Sequence, residues 1–483
     1  MLFTSATYLI FLPIIVALFW ILPKQFRLPM LLVASYIFYM SWIPMFILLI
    51  VPMTVFNYML GAYMHKHMDR KKQLLTFGIV ADLITLGVFK YANFFGSSAS
   101  FLWGAASHQH VNWAFNIILP LGISFFTFEF IHYLFEIYRG KTPIRSFVLF
   151  ALFAAFFPTQ IAGPIKRFPD FLAQMQEHRP FQLSYFDEGV PLIILGLAKK
   201  LLLANNLSLL VQMGFRNPEM YGALELWLFA WAFMFQIYFD FSAYTDIGRG
   251  SAMLFGYHIP INFDLPLIAD NISDFWRRWH ISLSTWLRDY LFIPMGGSKQ
   301  GKWKTNWNIF VTMTLGGLWH GAAWNFVVWG IYHGLCLVAH REVSEIMAKS
   351  QMASAFIKSK FGNYLSKWMT FNAVSVGCIF FGMPNIRIAF TMIRKMFLLH
   401  PILMPVEGKM PLLLKADLPI FVPATVCMAL ALILLNIPVS KLIESGVLKP
   451  KSSPLTAVYC TALVLLMIMF LSDTSSPFIY FQF

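Results

Sequence analysis

Charge is what this sequence has least of. Only 12% of its 483 residues are Asp, Glu, Lys or Arg, against 58% hydrophobic, where a soluble domain carries about a quarter charged residues. That scarcity excludes a water-soluble fold, which could not cover so much apolar surface. Cysteine is nearly absent too. Cys336, Cys378, Cys427 and Cys460 all lie in or beside apolar segments, with no CxxC and no Cys/His spacing that would hold zinc. They read as small buried hydrophobes, and neither a disulfide framework nor a metal site follows. No internal repeat or low-complexity tract is visible. The first apolar run, Tyr8 to Leu22, lacks a preceding basic stretch and a following small-residue cleavage site, so it is expected to remain as a span and not to be removed as a signal peptide.

What is present is a series of apolar stretches of roughly 17 to 25 residues, the length a helix needs to cross about 30 Å of hydrocarbon. In lipid every backbone polar group has to be satisfied within the chain, and long unbroken apolar runs select helices over a barrel. The pattern predicts an all-α polytopic membrane protein, a single domain over 1–483, with about eleven to thirteen membrane helices. Residues 1–163 read as regular scaffold spans near 6–22, 28–43, 44–64, 73–90, 114–138 and 146–163. Residues 164–340 read as a catalytic core, with a polar cytoplasmic or interfacial loop at 164–188 and spans near 189–211, 222–239 and 306–340. Residues 341–483 read as C-terminal spans near 366–382, 418–437 and 455–472. The formal net charge of +14 does not point to nucleic acid, because the basic residues sit in short loops: Lys24 and Arg27, His65 to Lys72, and Arg139 to Arg145. By the positive-inside rule these loops are expected in the cytoplasm, with 42–44, 91–113 and both termini outside.

Chemistry concentrates in a few segments. The run from Asn271 through Asp274, Trp276, Arg277, Arg278, Trp279, His280 and Arg288 to Tyr290 holds too many charges for a lipid-facing span, at roughly 2.5 to 3.5 kcal/mol each. As a helix it would place Trp276 and His280 on one face, either as an interfacial element with snorkelling arginines or as the lining of a polar cavity. Arg277, Arg278 and Arg288 are then headgroup anchors or ligands of an anionic donor such as a coenzyme A phosphate.

In Leu315-Gly-Gly-Leu-Trp-His-Gly-Ala-Ala-Trp324, His320 is the only His, Asp, Glu, Lys or Arg between Lys304 and His333. A lone ionisable group at membrane depth is a functional candidate, and apolar surroundings favour the neutral imidazole that a general base requires. The same residue suits a hydrogen bond across a helix interface, and Gly316, Gly317 and Gly321 leave room for a substrate or for another helix. His280 carries the same two readings. His333 and His340 read as structural or interfacial. Asp240 and Asp246, at the end of a span in Gln236 to Asp246, orient a histidine or pair with Arg277 or Arg278. Pro158 to Arg167 reads as a helix stop or as the wall of a substrate passage.

Taken together, Asp274 to Asp289 followed by Ile293-Pro-Met-Gly-Gly297, Gly317-Leu-Trp-His-Gly321, Leu119 to Phe125, Ile161 to Pro164, Gln236 to Asp246 and Phe478-Ile-Tyr-Phe-Gln-Phe483 resemble the membrane-bound O-acyltransferase family. The resemblance runs nearly end to end and is to the bacterial alginate O-acetyltransferase branch. It implies a ring of membrane helices with re-entrant or interfacial elements around a central tunnel, in the bacterial cytoplasmic (inner) membrane. It implies His320 as the catalytic histidine and His280 at the second, supporting position, which in the family is histidine or asparagine. Asp240, Asp246, Trp276, Trp279, Trp319 and Asn271 are expected to support the site or line the tunnel. It implies no bound cofactor and no metal, with acetyl-CoA or another acyl thioester as donor. It implies as partners a polysaccharide acceptor and an extracytoplasmic esterase-like acyltransferase, besides membrane lipids. D-alanyl transfer to teichoic acids, a polysaccharide or lipid transporter, and a scaffold for polymer secretion stay open as competing readings. The lack of visible repeats weighs against the transporter.

Overall fold

The computed structural model describes residues 1–107, 113, 115, 117–161, 163–177, 179–398, 454–469 and 478–479. The span expected at 418–437, with Cys427, lies outside the described residues. Among those described, the chain is helical, with no strand beyond an isolated antiparallel bridge between Phe263 and Trp279. Two compact units are formed, one by Met1–Ile193 with Ile247–Pro260 and the other by Ile194–Asp246 with Ile261–Phe483.

The first unit contains α1 (Ala6–Ile21), α2 (Lys24–Met40), α3 (Ile47–Lys66), α4 (Lys71–Leu86), α5 (Ala92–Ser107), α6 (Ile123–Tyr138), α7 (Phe147–Ala155), α8 (Phe168–Gln176) and most of α9 (Ser184–Ala198). Ser5 and Ser146 cap α1 and α7 by accepting the N–H groups of Tyr8 and Leu149. A π-helical turn at Gly87–Tyr91 carries α4 into α5, so Met68–Ser107 is one apolar helical run of 40 residues. The outer connection expected at 91–113 is therefore largely helix: neither Gly nor Pro breaks the chain at Lys90, and the widened turn absorbs the change of register. The span expected to begin at 114 becomes helical only at Ile123. Gly122 takes φ 74° there, and a Cβ on it would lie 2.7 Å from the Gln160 carbonyl oxygen, which leaves glycine as the fitting residue.

This unit also corrects the loop reading of 164–188. Lys166 is 1% exposed and donates to Glu129 Oε1 and to Thr159 Oγ1, both at 2.7 Å. The backbone N–H of Phe168, at the start of α8, donates to His132 Nε2 at 3.0 Å. A buried ammonium needs its carboxylate, and the α6 pair Glu129 and His132 draws this stretch inward.

The second unit holds α10 (Asn205–Arg216), α11 (Ala223–Met253, continuing into the first unit's residues), α12 (Ile272–Arg278), α13 (Ile281–Leu287), α14 (Gly301–His320), α15 (Trp324–Ala348), α16 (Gln351–Lys358), α17 (Lys360–Gly382), α18 (Ile386–Leu398) and α19 (Pro454–Met469). Among the described residues four helical runs are long and apolar enough to cross a bilayer: Pro44–Lys66, Met68–Ser107, Ser184–Arg216 and Ala223–Met253. The chain is an all-α polytopic membrane protein. The apolar window of α11 is 83% buried, against 22% for Met68–Ser107, so α11 is surrounded by protein while Phe95, Phe101 and Leu102 on α5 remain exposed. Asp240 and Asp246 consequently lie inside a continuous helix and not at the end of a span, as expected from their charge. Burial of α11 lets it carry polar groups that a lipid-facing helix would not tolerate.

α14 and α15 form the tightest helix pair of this unit. Gly321 is extended (φ −157°, ψ 148°), which stops α14 at His320, and α15 starts three residues later at Trp324. A Cβ on Gly317 would stand 2.3 Å from the Phe326 carbonyl oxygen, and one on Gly330 would stand 2.5 Å from that of Met313. The glycines thus admit another helix, the small-residue contact that drives association in lipid. Gly330→Val would press new carbons into the Met313 carbonyl, an overpacking cost of about 1–3 kcal/mol. It should lower the detergent-solubilised protein's melting temperature by several degrees, whereas Gly316→Ala, which meets only Leu287 Cδ1 at 3.2 Å, should leave it nearly unchanged.

Candidate active site around two histidines

Because α14 ends at His320, the imidazole stands at the carbonyl end of a 20-residue helix, where the macrodipole favours positive charge. Its surroundings are aromatic: ring centroids of Trp319 and Trp329 lie at 5.0 Å, Phe381 of α17 at 5.4 Å, and His280 at 6.4 Å. The antiparallel return of α15 supplies Trp329, and α17, packed on α15, supplies Phe381.

His280 arrives by a different route from the one its sequence suggests. Asn271 to Tyr290 is not one amphipathic helix. α12 ends at Arg278, Trp279 is extended, His280 is left-handed at φ 44° and ψ 54°, and α13 begins at Ile281. Trp276 and His280 are therefore not one turn apart on a common face. The break arises because Trp279 bridges Phe263, and the Asp264 N–H bonds the Arg278 carbonyl at 3.0 Å, so a short antiparallel pairing displaces the helical hydrogen bonds here. His280 is fully buried, 4.7 Å from the Phe241 ring of α11 and 6.2 Å from that of Trp319. Among the described residues neither of its ring nitrogens has a hydrogen-bond partner.

Other expected residues take distinct places. Trp319 lies beside both histidines, its ring centroid 5.0 Å from that of His320 and 6.2 Å from that of His280. Trp276 contacts Trp329 at 5.6 Å and His333 at 5.2 Å, and its buried indole N–H has no partner among the described residues. Trp279 stacks on Phe275 and meets Phe263 and Tyr238, forming wall and not surface. Asn271 caps α12, accepting from the Asp274 N–H at 2.9 Å. Arg278 bonds Asp274 at 2.8 Å and the Asp264 carbonyl at 3.3 Å. Arg277 and Arg288 remain solvent-facing, beside Asp274 and Asp289 respectively.

The two acids of α11 pair with neither arginine. Asp240 Oδ1 lies 2.8 Å from Lys200, its Oδ2 accepts from the Ile479 N–H at 2.7 Å, and Asp246 lies 2.5 Å from Lys199. Arg277 and Arg278 are committed within their own helix to Asp274, at i−3 and i−4. A π-helical turn at Lys199–Ala204 presents the lysines instead. Two lysines inside the apolar run at 189–211 were the available signal, since such cations need acidic partners at membrane depth.

His333, read as structural or interfacial from sequence, is 1% exposed, with Trp329 at 4.8 Å, and Gly377 of α17 leaves the space for its ring. It belongs to the same aromatic cluster as His320. Nothing in its spacing on α15 sets it apart, because Trp276 and Gly377 come from distant segments. Among the described residues, no group of three or more His, Cys, Asp and Glu side chains could hold a metal ion.

Two imidazoles among aromatic rings, His280 fully buried and His320 half-buried, define a site equipped for proton transfer within a helical membrane protein. The model of MBOAT, the membrane-bound O-acyltransferase family, matches residues 134–383, which include both histidines. The chain belongs to this family and is an O-acyltransferase. It is 39% identical over 82% of its length, and 75% of the relative's, to a probable alginate O-acetylase AlgI of Pseudomonas aeruginosa. It is 37% identical over the whole of both chains to a protein of the same description from Pseudomonas putida. With the peptidoglycan O-acetyltransferase of Helicobacter pylori it shares 33% identity over 76% of this chain and 73% of that one.

Removing one partner of a buried ion pair leaves the other charge uncompensated, at about 3–5 kcal/mol. Lys200→Met and Asp240→Leu should each sharply lower the yield of folded protein, and the double variant should be more stable than their summed effects require. Fluorescence-detected gel filtration with thermal challenge reads all three.

Proposed function

We propose that this acyltransferase moves an acetyl group from a cytoplasmic thioester donor, such as acetyl-CoA, toward hydroxyls of an extracytoplasmic polysaccharide, directly or through an esterase-like partner. The observation that carries the reading is the buried His280 ring, whose nitrogens have no partner among the described residues, 6.4 Å from His320. A buried polar atom left unpaired costs roughly 1–3 kcal/mol, and a site that keeps such atoms has a use for them when substrate is bound. The names of the relatives, alginate O-acetylase and peptidoglycan O-acetyltransferase, support acetyl as the group and a glycan as the acceptor.

In this mechanism the neutral His320 takes the proton from the acceptor hydroxyl as its oxygen attacks the thioester carbonyl. The new carbon–oxygen bond forms, the negative charge moves to the carbonyl oxygen, and an N–H of His280 stabilises it there. Collapse breaks the carbon–sulfur bond, and the imidazolium of His320 returns the proton to the departing thiolate. The carbonyl end of α14 and the faces of Trp319 and Trp329 stabilise the transient imidazolium. Trp276 and Trp279 shape the site. Asp240 and Asp246, neutralised by Lys200 and Lys199, and Asn271, as a cap, support its walls. Arg277, Arg278 and Arg288 are assigned to the donor's phosphates, with solvent-facing Arg277 and Arg288 making the first contacts. Kinship with bacterial relatives supports residence in the bacterial inner membrane, and the loop charges support both termini being extracytoplasmic.

The test uses proteoliposomes supplied with acetyl-labelled acetyl-CoA and an acceptor glycan, with and without an esterase-like partner. Covalent label on the glycan or partner is expected. His320→Ala should reduce its rate by about 10²- to 10⁴-fold, with the protein still folded by gel filtration. Unchanged turnover in that variant removes the general base. Glycan transport without label supports a transporter, and label from D-alanyl but not acetyl donors redirects the reading to D-alanyl transfer.

A further inference from the structure

We infer that Asn262 is a positioning residue that sets the His280 imidazole by clamping the left-handed backbone beneath it. The inference rests on the reading of His280 as a working group.

Asn262 precedes the short extended segment that pairs with Trp279, and it is fully buried. Its backbone carbonyl accepts the Ile281 N–H at 3.0 Å. Its side-chain Oδ1 accepts from Ser282 twice, from the N–H at 3.2 Å and from the hydroxyl at 2.6 Å. One residue therefore takes three hydrogen bonds from the two residues that follow His280. On the other side, the Asp264 N–H holds the Arg278 carbonyl. The His280 carbonyl is itself engaged, accepting the Ser284 N–H at 2.9 Å as α13 begins.

A non-glycine residue in the left-handed region costs about 1–2 kcal/mol. Such a conformation persists only where its surroundings over-determine it, and it is found preferentially at working sites. Here the over-determination comes from Asn262, whose backbone carbonyl accepts the Ile281 N–H and whose side-chain Oδ1 accepts the Ser282 N–H, groups a helix leaves open at its start. Without Oδ1 the Ile281 bond remains, but the two Ser282 bonds to the Asn262 side chain are lost in a buried place. The kink can then relax toward a continuous α12–α13 helix, which would swing the imidazole away from its place 6.4 Å from His320. Displacement of a catalytic group by about 1 Å can cost some 10²-fold in rate. His280 acts on the reacting carbonyl oxygen in the proposed mechanism, so the effect falls on turnover more than on donor binding.

The experiment measures kcat and KM for acetyl-CoA in proteoliposomes for Asn262→Ala, Asn262→Asp, Ser282→Ala and His280→Ala, with melting temperatures taken in parallel. Asn262→Ala should lower kcat by about 10- to 100-fold, with KM changed by less than about threefold. Asn262→Asp keeps an oxygen acceptor in place and should recover most of that loss, while Ser282→Ala should lower kcat by a smaller factor. If Asn262→Ala does not fold, Ser282→Ala decides: a kcat equal to that of the parent overturns the inference. It is also overturned if Asn262→Ala turns over normally while His280→Ala does not, or if the aspartate variant folds but is as slow as the alanine one. Full activity in His280→Ala overturns the role of His280 itself and the inference with it.

Discussion

A polar group taken into a membrane protein's interior has no water to fall back on, and the whole arrangement of this chain follows from finding it a partner. Lys166 is drawn onto Glu129 and Thr159, Lys200 onto Asp240, Lys199 onto Asp246, and Asn57 onto Asp82. Each pair ties together segments far apart in sequence, and each would be costly if half were missing. Hydrophobic burial gives little net drive between helices whose alternative neighbours are lipid tails. The polar pairs, with backbone-to-backbone contact at Gly317 and Gly330, therefore set which elements meet. Among the described residues His280 is fully buried with neither ring nitrogen partnered.

The two histidines depend on opposite local devices. His320 is delivered by regularity: a straight helix that runs to its last residue and stops because Gly321 is extended. His280 is delivered by a lapse in regularity, where an antiparallel pairing three residues long outcompetes the continuation of a helix. A helix end is well suited to holding charge, and a kink between two short helices is well suited to aiming a side chain. Aromatic rings from α11, α14, α15 and α17 pack around the two imidazoles.

Much of this was readable beforehand, for reasons that can be stated. Lipid residence follows from composition, because no soluble surface could be assembled from so few charges. His320 was conspicuous as the lone ionisable side chain in its apolar surroundings. The helical periodicity of Asn271 to Tyr290 misled, because the partner that breaks it, Phe263, is held nearby by tertiary structure and leaves no local signature. From sequence Asp240 and Asp246 orient a histidine or pair with Arg277 or Arg278, yet they meet Lys200 and Lys199 for a similar reason: Arg277 and Arg278 have Asp274 one turn away, a local pairing that forestalls the long-range one. Lys166 looked like part of a surface loop until Glu129 was seen beneath it. Asn262 sits in a stretch with no motif at all, and its use appears only once the backbone of His280 is known.

The left-handed geometry at position 280 has a consequence for how such a site can vary. Apart from glycine, the residues that enter this region with the least penalty are asparagine, aspartate and histidine. A carboxylate would bring an unpaired charge into a dry pocket, and glycine would bring no functional group, so the backbone admits two residues that can donate a neutral hydrogen bond. These are histidine and asparagine, the alternatives that resemblance to the family assigns to this position. On this view the choice of residue there is filtered first by main-chain torsion and only then by chemistry, and the kink acts as a restriction on the vocabulary of the site.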